Sequence, residues 1–460
     1  MKQNKTVKVR LSALVLALSS SLSFNALAET YDFKKCVESA LNQNPEMDVS
    51  SARIQQAQSA LGKAEASRLP QITLSMTGSN SNNPLNVFGM KLQQRSVVSD
   101  DMFDPNDPND PLSMDPLNNP KAHTDFNTRA EMLIPVWNGG KIGSYEDQAA
   151  AMIQAARQGD VAVQQYLTFN VYQAYEAVYA ARSYINVAKQ AKLTADEFVR
   201  TTKNLVDQGI VVRSEFLSAK VNQSSAEVAL LKAQGQEQIA LDTLKMLMNV
   251  DANKEVDIAG RTDLDLPAAS VEELLTMANA ANPQLEAKRK EASSTAFAID
   301  AAKADYYPSF NVMLRQEWND ETLGLNNSSY TVAGVVSWKI TDFGVTSNSV
   351  DMANAAALEK KSALRSEENK TRLEVLTAWR KMEVANKEVD FNLLAVEQAS
   401  EAQNLVLKRY KGGVATMTEV LAAQTQLDKA RAELVSAKYD VNVFKAKIRL
   451  VTGTMTVNNL

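Results

Sequence analysis

Pro135-Val136-Trp137-Asn138-Gly139-Gly140 and, 204 residues later at its final glycine, Ile340-Thr341-Asp342-Phe343-Gly344 each open a long stretch almost free of helix breakers. Between Gly140 and Gly209 there is no proline, and only Gly143 and Gly159 interrupt; between Gly344 and Gly412 there is neither glycine nor proline. Such stretches predict continuous helices over residues 141–208 and 345–411, because proline and glycine are the residues that end helices most strongly. At 1.5 Å per residue each helix is roughly 100 Å long, more than a compact domain can hold.

Downstream, Val420, Leu427, Leu434, Val441 and Ile448 recur every seven residues and interleave with Ala423, Ala430, Ala437, Phe444 and Val451. This three-and-four spacing predicts a return helix over 414–451 in coiled-coil packing. Ala219, Ala226, Ala233, Ala240 and Leu247 form the matching layer of a return helix over 210–248. The aromatic series Phe169, Tyr172, Tyr175 and Tyr179 lies on one helical face and is read as packing in a helix seam.

Upstream, alternation of apolar and polar residues predicts strands. Ile72, Leu74 and Met76 alternate with Thr73, Ser75 and Thr77 in a strand over about 70–78, and Phe126 to Met132 alternate in one over about 125–135. The second half repeats the pattern over about 308–318 and 329–339. Asn44-Pro45 returns as Asn282-Pro283, and each proline is followed 25 residues later by another, Pro70 and Pro308. The chain is therefore a tandem repeat, 29–260 and 261–460. The halves differ by 34 residues between the second proline and the glycine motif, an excess read as an exposed Asp-, Asn- and Pro-rich loop over about 79–124. In that loop the hard oxygen donors of Asp104 to Asp110 lack the glycine and spaced glutamate of a calcium loop, and His123 beside them is read as solvated.

Composition narrows function. The 460 residues include one histidine, His123, and one cysteine, Cys36, so multi-residue zinc sites are excluded and no metal, cofactor or catalytic residue is expected; the protein is not read as an enzyme. The N-terminus reads as a secretory signal over residues 1–28: Lys2, Lys5, Lys8 and Arg10, an apolar run from Leu11, and Ala26-Leu27-Ala28 before the cut. Its removal takes the net charge from −5 to −9, which disfavours a nucleic-acid partner. Cys36 is expected to be a small, partly buried residue of the first mature helix.

Apolar-out, polar-in segments of about ten residues are the signature of transmembrane β-strands. Trp318, Tyr330 and Trp338 near strand ends suit the interfaces with lipid. Backbone groups in lipid must all be paired and small barrels need about eight strands, so four strands demand several copies; three give twelve.

The order of signal, helix, proline-led strand, loop, strand ending in a glycine motif, very long helix, glycine turn and return helix, with all but the signal doubled, resembles the TolC-like outer-membrane efflux protein family. The residues that carry the resemblance are the two Asn-Pro sites, the motifs ending at Gly140 and Gly344, and the turns Gln208-Gly209-Ile210-Val211 and Tyr410-Lys411-Gly412-Gly413-Val414. It implies a mainly α protein with transmembrane β, in which long coiled-coil helices form an α-barrel and three protomers form a 12-stranded β-barrel. The implied homotrimer is an exit duct in the outer membrane of a Gram-negative bacterium, extending into the periplasm. Its implied partners are outer-membrane lipid, a periplasmic adaptor, and an inner-membrane pump of RND or ABC type. Gly209, Ile210, Gly413 and Val414 would be the adaptor-contact tip, and Glu215 and Glu419, again 204 apart, candidates for the tunnel constriction. Some relatives carry a second acidic residue one turn on, where this chain has Ser218 and Ala422. The same architecture also serves type I protein secretion. A periplasmic coiled-coil adaptor is the competing interaction-protein reading, and whole-chain repetition argues against it.

Overall fold

The computed structural model describes residues 29–457, so the signal expected over residues 1–28 lies outside the described residues. The first repeat contains β1 (Glu29–Tyr31), α1 (Phe33–Gln43), α2 (Pro45–Ala66), β2 (Gln71–Ser81), α3 (Pro84–Gln93), α4 (Asp115–Asn118), β3 (His123–Trp137), α5 (Lys141–Asp207) and α6 (Arg213–Met248). Strand β4 (Val256–Ile258) ends the first repeat, and the second contains α7 (Val271–Ala281), α8 (Pro283–Lys303), β5 (Ser309–Asp320), β6 (Ser328–Ser337), α9 (Val345–Lys411) and α10 (Met417–Val451). Both α5 and α9 are unbroken over 67 residues.

Several boundaries move from their sequence expectations, among them the end of β2, which runs past 78 to Ser81. Helices α6 and α10 begin at Arg213 and Met417, three residues later than 210 and 414, because glycine turns occupy 208–212 and 412–416. Strand β3 runs past Pro135 to Trp137; the proline coincides with a register shift, the kind of irregularity where a residue without an N–H is tolerated in a sheet. The stretch expected to be loop over 79–124 contains the ten-residue α3, capped by the Asn83 side chain with Pro84 at its first position.

The chain forms two compact units, and each takes segments from both repeats rather than one repeat each. The first unit comprises, among the described residues, 29–51, 159–285 and 367–457. Its larger core packs Phe33, Cys36, Val37 and Ala40 of α1 on Tyr172, Tyr175 and Val178 of α5 and on Leu244 and Met248 of α6. Phe33 meets Tyr172 edge-on at 5.2 Å. The cysteine expected to be partly buried is fully buried, and burial pushes its thiol well above the ordinary range. A second core repeats the arrangement with Leu274 and Ala278 of α7, Val375, Ala378 and Met382 of α9, and Ile448 and Val451 of α10.

The Asn-Pro sites explain how each short hairpin docks in this unit. Asn44 Nδ2 donates to Leu247 O at 2.9 Å, and Asn282 Nδ2 donates to Val451 O at 2.8 Å. Each amide thus satisfies one of the carbonyls that a helix C-terminus leaves without an intrahelical partner. The same residues' Oδ1 atoms accept from Glu46 N and Leu285 N, starting α2 and α8.

The second unit, Ala52–Gln158 and Glu286–Ser366, holds a four-stranded antiparallel sheet in the order β2-β3-β5-β6. Strands β2 and β6 are its two open edges.

Candidate channel wall and helix tips

The registers sort the sheet into two chemically different faces. On one face lie Ile72, Leu74 and Met76 of β2, Ala130, Met132 and Ile134 of β3, Val312 and Leu314 of β5, and Tyr330, Val332 and Val336 of β6. On the other lie Thr73, Ser75 and Thr77, then Asn127, Arg129 and Glu131, then Arg315, Glu317 and Asn319, then Ser329 and Thr331. The polar face is cross-linked where the repeats meet: Arg129 pairs with Glu317 and Arg315 with Glu131, each at 2.7 Å. Both strands carry Arg-x-Glu, which is self-complementary in an antiparallel pair. A slip of two residues would keep every side chain on its proper face, yet it would set Arg129 opposite Arg315 or Glu131 opposite Glu317. The charges therefore reject the slips that amphipathic patterning cannot.

Helix α3 ends over the polar face. Gln94 is buried and donates to Asp125 Oδ1 and Thr124 O, each at 2.9 Å, while Asn319 Nδ2 donates to Asp125 Oδ2 at 3.0 Å. His123, expected to be solvated, is half-buried in β3 with its Nε2 2.7 Å from Gln94 Oε1. Beyond α3 the acidic stretch is spent on its own turns: Asp104, Asp107 and Asp110 side chains accept from the backbone of Asn106, Asn109 and Leu112.

The aromatic candidates fall at opposite ends of the strands. Trp318 and Tyr330 lie at the end where β5 turns into β6; Trp338 lies just past the other end of β6 and donates its Nε1–H to Tyr306 O at 3.1 Å. Trp137 and Tyr307 stack edge-on near that second end and extend the aromatic set beyond what the sequence singled out.

In the first unit the two tip turns share one geometry. Gly209 and Gly413 have φ of +71° and +73°. Gly209 N donates to Val206 O and Ile210 N to Leu205 O, both at 2.9 Å; Gly413 N donates to Tyr410 O at 2.9 Å and Val414 N to Arg409 O at 3.0 Å. These paired bonds are the glycine-terminated Schellman end of a helix. The turns lie side by side, since a Cβ on Gly413 would be 3.6 Å from Ile210 Cγ2. Ile210 and Val414 are exposed. Behind them Phe198, Ala219, Tyr410, Met417 and Val420 form a small core.

Glu215 and Glu419 are equivalent in sequence and unlike in surroundings. Glu419 is exposed and its backbone N–H is capped by Thr416 Oγ1 at 3.3 Å. Glu215 is half-buried, and its carboxylate is enclosed facing the Tyr410 hydroxyl. Burial first, and then the facing Glu215 charge, push the Tyr410 hydroxyl upward, while the bond this hydroxyl makes to Thr202 Oγ1 at 3.2 Å opposes them.

A further set, around the aromatic series of α5, escaped the sequence reading. Tyr175 donates to Gly260 O at 2.8 Å and Tyr172 to Thr262 O at 3.2 Å. Glu176, with a fully buried side chain, pairs with Arg261 at 2.9 Å and accepts from Asn442 at 2.8 Å. The seam thus clasps the segment that joins the repeats. Among the described residues no group of three or more His, Cys, Asp or Glu could hold a metal ion, and no helix is long and apolar enough to cross a membrane.

Comparison with known proteins agrees with this architecture. Outer membrane efflux protein BepC of Brucella suis is 23% identical over 290 residues, which cover 62% of this chain and 63% of BepC. The structure resembles that of the outer membrane protein VceC of Vibrio cholerae with a TM-score of 0.73 at 18% identity, over 92% of this chain and 96% of VceC. It resembles the MtrE outer membrane channel of Neisseria gonorrhoeae with the same TM-score and identity, over 93% and 90% of the two chains. Residues 36–250 and 274–454, most of the chain and both repeats, match one family throughout, and the chain belongs to it: the outer membrane efflux proteins.

Proposed function

We propose that three copies of this chain close into a twelve-stranded barrel and a helical tunnel, and that the assembly is the exit duct of a tripartite pump carrying drugs or other small molecules outward. The observation that carries the reading is the four-stranded sheet with one apolar face, one polar face and two open edges. Unpaired edges do not persist in lipid, so β2 and β6 require strands from other copies, with the apolar face outward and the Arg-Glu ladder toward the lumen. Helix α6 supports assembly as well, since Leu217, Val221, Val228, Leu231, Ile239 and Met246 are all exposed.

In this reading Gly209, Ile210, Gly413 and Val414 meet the periplasmic adaptor, behind which stands an inner-membrane pump of RND or ABC type. Of the two carboxylates, exposed Glu419 is the one suited to line the constriction, while Glu215 faces the Tyr410 core. Detergent extraction of outer membranes should yield trimers with single-channel conductance in planar bilayers; a soluble periplasmic monomer overturns the reading. At Gly209 a Cβ meets nothing within 4 Å, so a substitution there is limited by the left-handed φ of +71° and not by space, and an asparagine variant serves as the control for that strain. Gly209→Trp should abolish drug export with trimers intact, and Gly209→Asn, which tolerates the left-handed backbone, should retain it. Unchanged export in Gly209→Trp would remove the tip from the adaptor contact.

A further inference from the structure

The two strand-to-helix junctions have the same backbone and opposite surroundings. Gly139 and Gly140 have φ of +68° and +87°; their repeat counterparts, Phe343 and Gly344, have +53° and +97°. At Gly139 the left-handed conformation serves a close approach, since a Cβ there would lie 2.5 Å from Ala304 O and 3.1 Å from Tyr307 Cβ. Around it Trp137 stacks on Tyr307 with centroids 6.4 Å apart, and Lys141 Nζ pairs with Asp305 at 2.8 Å. The first junction is therefore closed by the segment that leads into β5.

At the second junction nothing among the described residues plays that part. Phe343 is 97% exposed and Val345 64%. A bulky aromatic on a backbone that glycine adopts without strain, standing in solvent, gains nothing within its own chain; strain of this kind persists where another contact depends on it.

The repeat identifies the missing contact. The segment leading into β5 lies 238 residues after the segment leading into β2, so Ala304 corresponds to Ala66, Asp305 to Ser67 and Tyr307 to Leu69. Ala66 and Leu69 are exposed, Leu69 by 61%. Strands β6 and β2 are the two sheet edges that a closed ring of copies would join. What the β5 leader is to the first junction, the β2 leader of the next copy is to the second. We propose that Phe343 is an intersubunit knob that seats against the Ala66–Leu69 segment of the adjacent copy; the proposal rests on the ring assembly described above.

The chemistry matches across this joint. The counterparts of the Lys141–Asp305 ion pair are Val345 and Ser67, so an apolar contact between Phe343, Val345, Ala66 and Leu69 replaces the charged one. The first junction has no room for a Cβ at Gly139, so the intersubunit joint must be more open to accept a phenyl ring. A spacing somewhat wider than the 3.1 Å between the Gly139 Cβ position and Tyr307 Cβ falls within the range that a disulfide bridges.

The test uses the full chain with Cys36→Ser as background. Phe343→Cys combined with Leu69→Cys, oxidised in outer membranes, should yield reductant-sensitive dimers and trimers on denaturing gels, and neither single variant should. Trimers on a native gel that resolve to monomers after oxidation would overturn the proposal and leave Phe343 to face lipid. Absence of native trimers in the unmodified protein would instead defeat the assembly reading. Phe343→Gly provides a second arm. It relieves the left-handed backbone, so unchanged or greater heat resistance of the trimer in SDS would overturn the knob, whereas earlier loss of the trimer band is expected.

Discussion

Helices α5 and α9 are equal in length and begin with equivalent glycine motifs, yet they do different work at equivalent positions. Tyr172, Tyr175 and Glu176 of α5 hold the segment between the repeats through hydroxyl and carboxylate bonds. The residues 204 positions on, Leu376, Trp379 and Arg380, offer no hydroxyl or carboxylate; Trp379 shares an apolar cluster with Leu266 and Ala268, and Arg380 is exposed beside Glu383. A tandem repeat has one internal joint per chain, so only one copy of the long helix needs a buried polar clasp. The difference between the copies marks where duplication had to be broken.

The largest effect should come from attacking that difference. Glu176→Ala leaves the buried Asn442 amide without its acceptor and takes the anion from the Arg261 guanidinium, which is 40% exposed and regains solvent in part, at a cost of about 2–4 kcal/mol. Arg380→Ala removes an exposed pair within one helix and should cost no more than about 0.5 kcal/mol. Thermal unfolding of the two variants measures both, and equal losses would mean that the clasp is not what distinguishes the repeats.

The return helices offer a second comparison. Helix α6 ends on Asn249 at φ +52° and α10 on Gly453 at φ +74°, positions 204 apart. Asn249 reaches the α1 hairpin with its side chain, donating to Gln43 O at 3.0 Å. Gly453 reaches the α7 hairpin with bare backbone, and a Cβ there would stand 2.2 Å from Ala281 O. A side-chain bond can be lost in part, but a close approach tolerates no added atom. Gly453→Ala should therefore cost about 2–4 kcal/mol from strain and overpacking together. Asn249→Ala should cost only about 1–2 kcal/mol for one bond and the left-handed backbone. Denaturant midpoints of the two variants decide it, and the reverse order would break the comparison.

These contrasts show what could be read in advance. The repeat, the strands and the glycine turns were legible because their signals are local: a period, an alternation, a missing breaker. The Asn-Pro pairs were visible too, but their purpose was not, since each amide finds a carbonyl about 170–200 residues away. Helix α3 was hidden by its neighbours' composition, although Asn83-Pro84 before a stretch free of further breakers up to Gly89 is a capped helix start. The Gln94–Asp125–Asn319 cluster and the Glu176 clasp join residues distant in sequence, and a single chain carries no sign of such pairings. The division into compact units was missed for the same reason, since neighbours in space come from both repeats.

The smallest effect belongs to the tips, where the two turns differ by one cap. Thr416 lends its hydroxyl to the first turn of α10, whereas Val212, its counterpart before α6, makes no side-chain bond to the helix it precedes. The first turn of α6 is thus held by its backbone and by the Phe198–Tyr410 core alone, and it should open more readily than that of α10. Thr416→Ala should cost about 1 kcal/mol locally and speed amide exchange at 417–420 about fivefold. Val212→Thr should slow exchange at 213–216 by a few-fold, because a hydroxyl there can accept from Glu215 N. If Thr416→Ala leaves exchange at the α10 start unchanged, the core rather than the cap secures both tips, and their different capping has no bearing on which turn yields first.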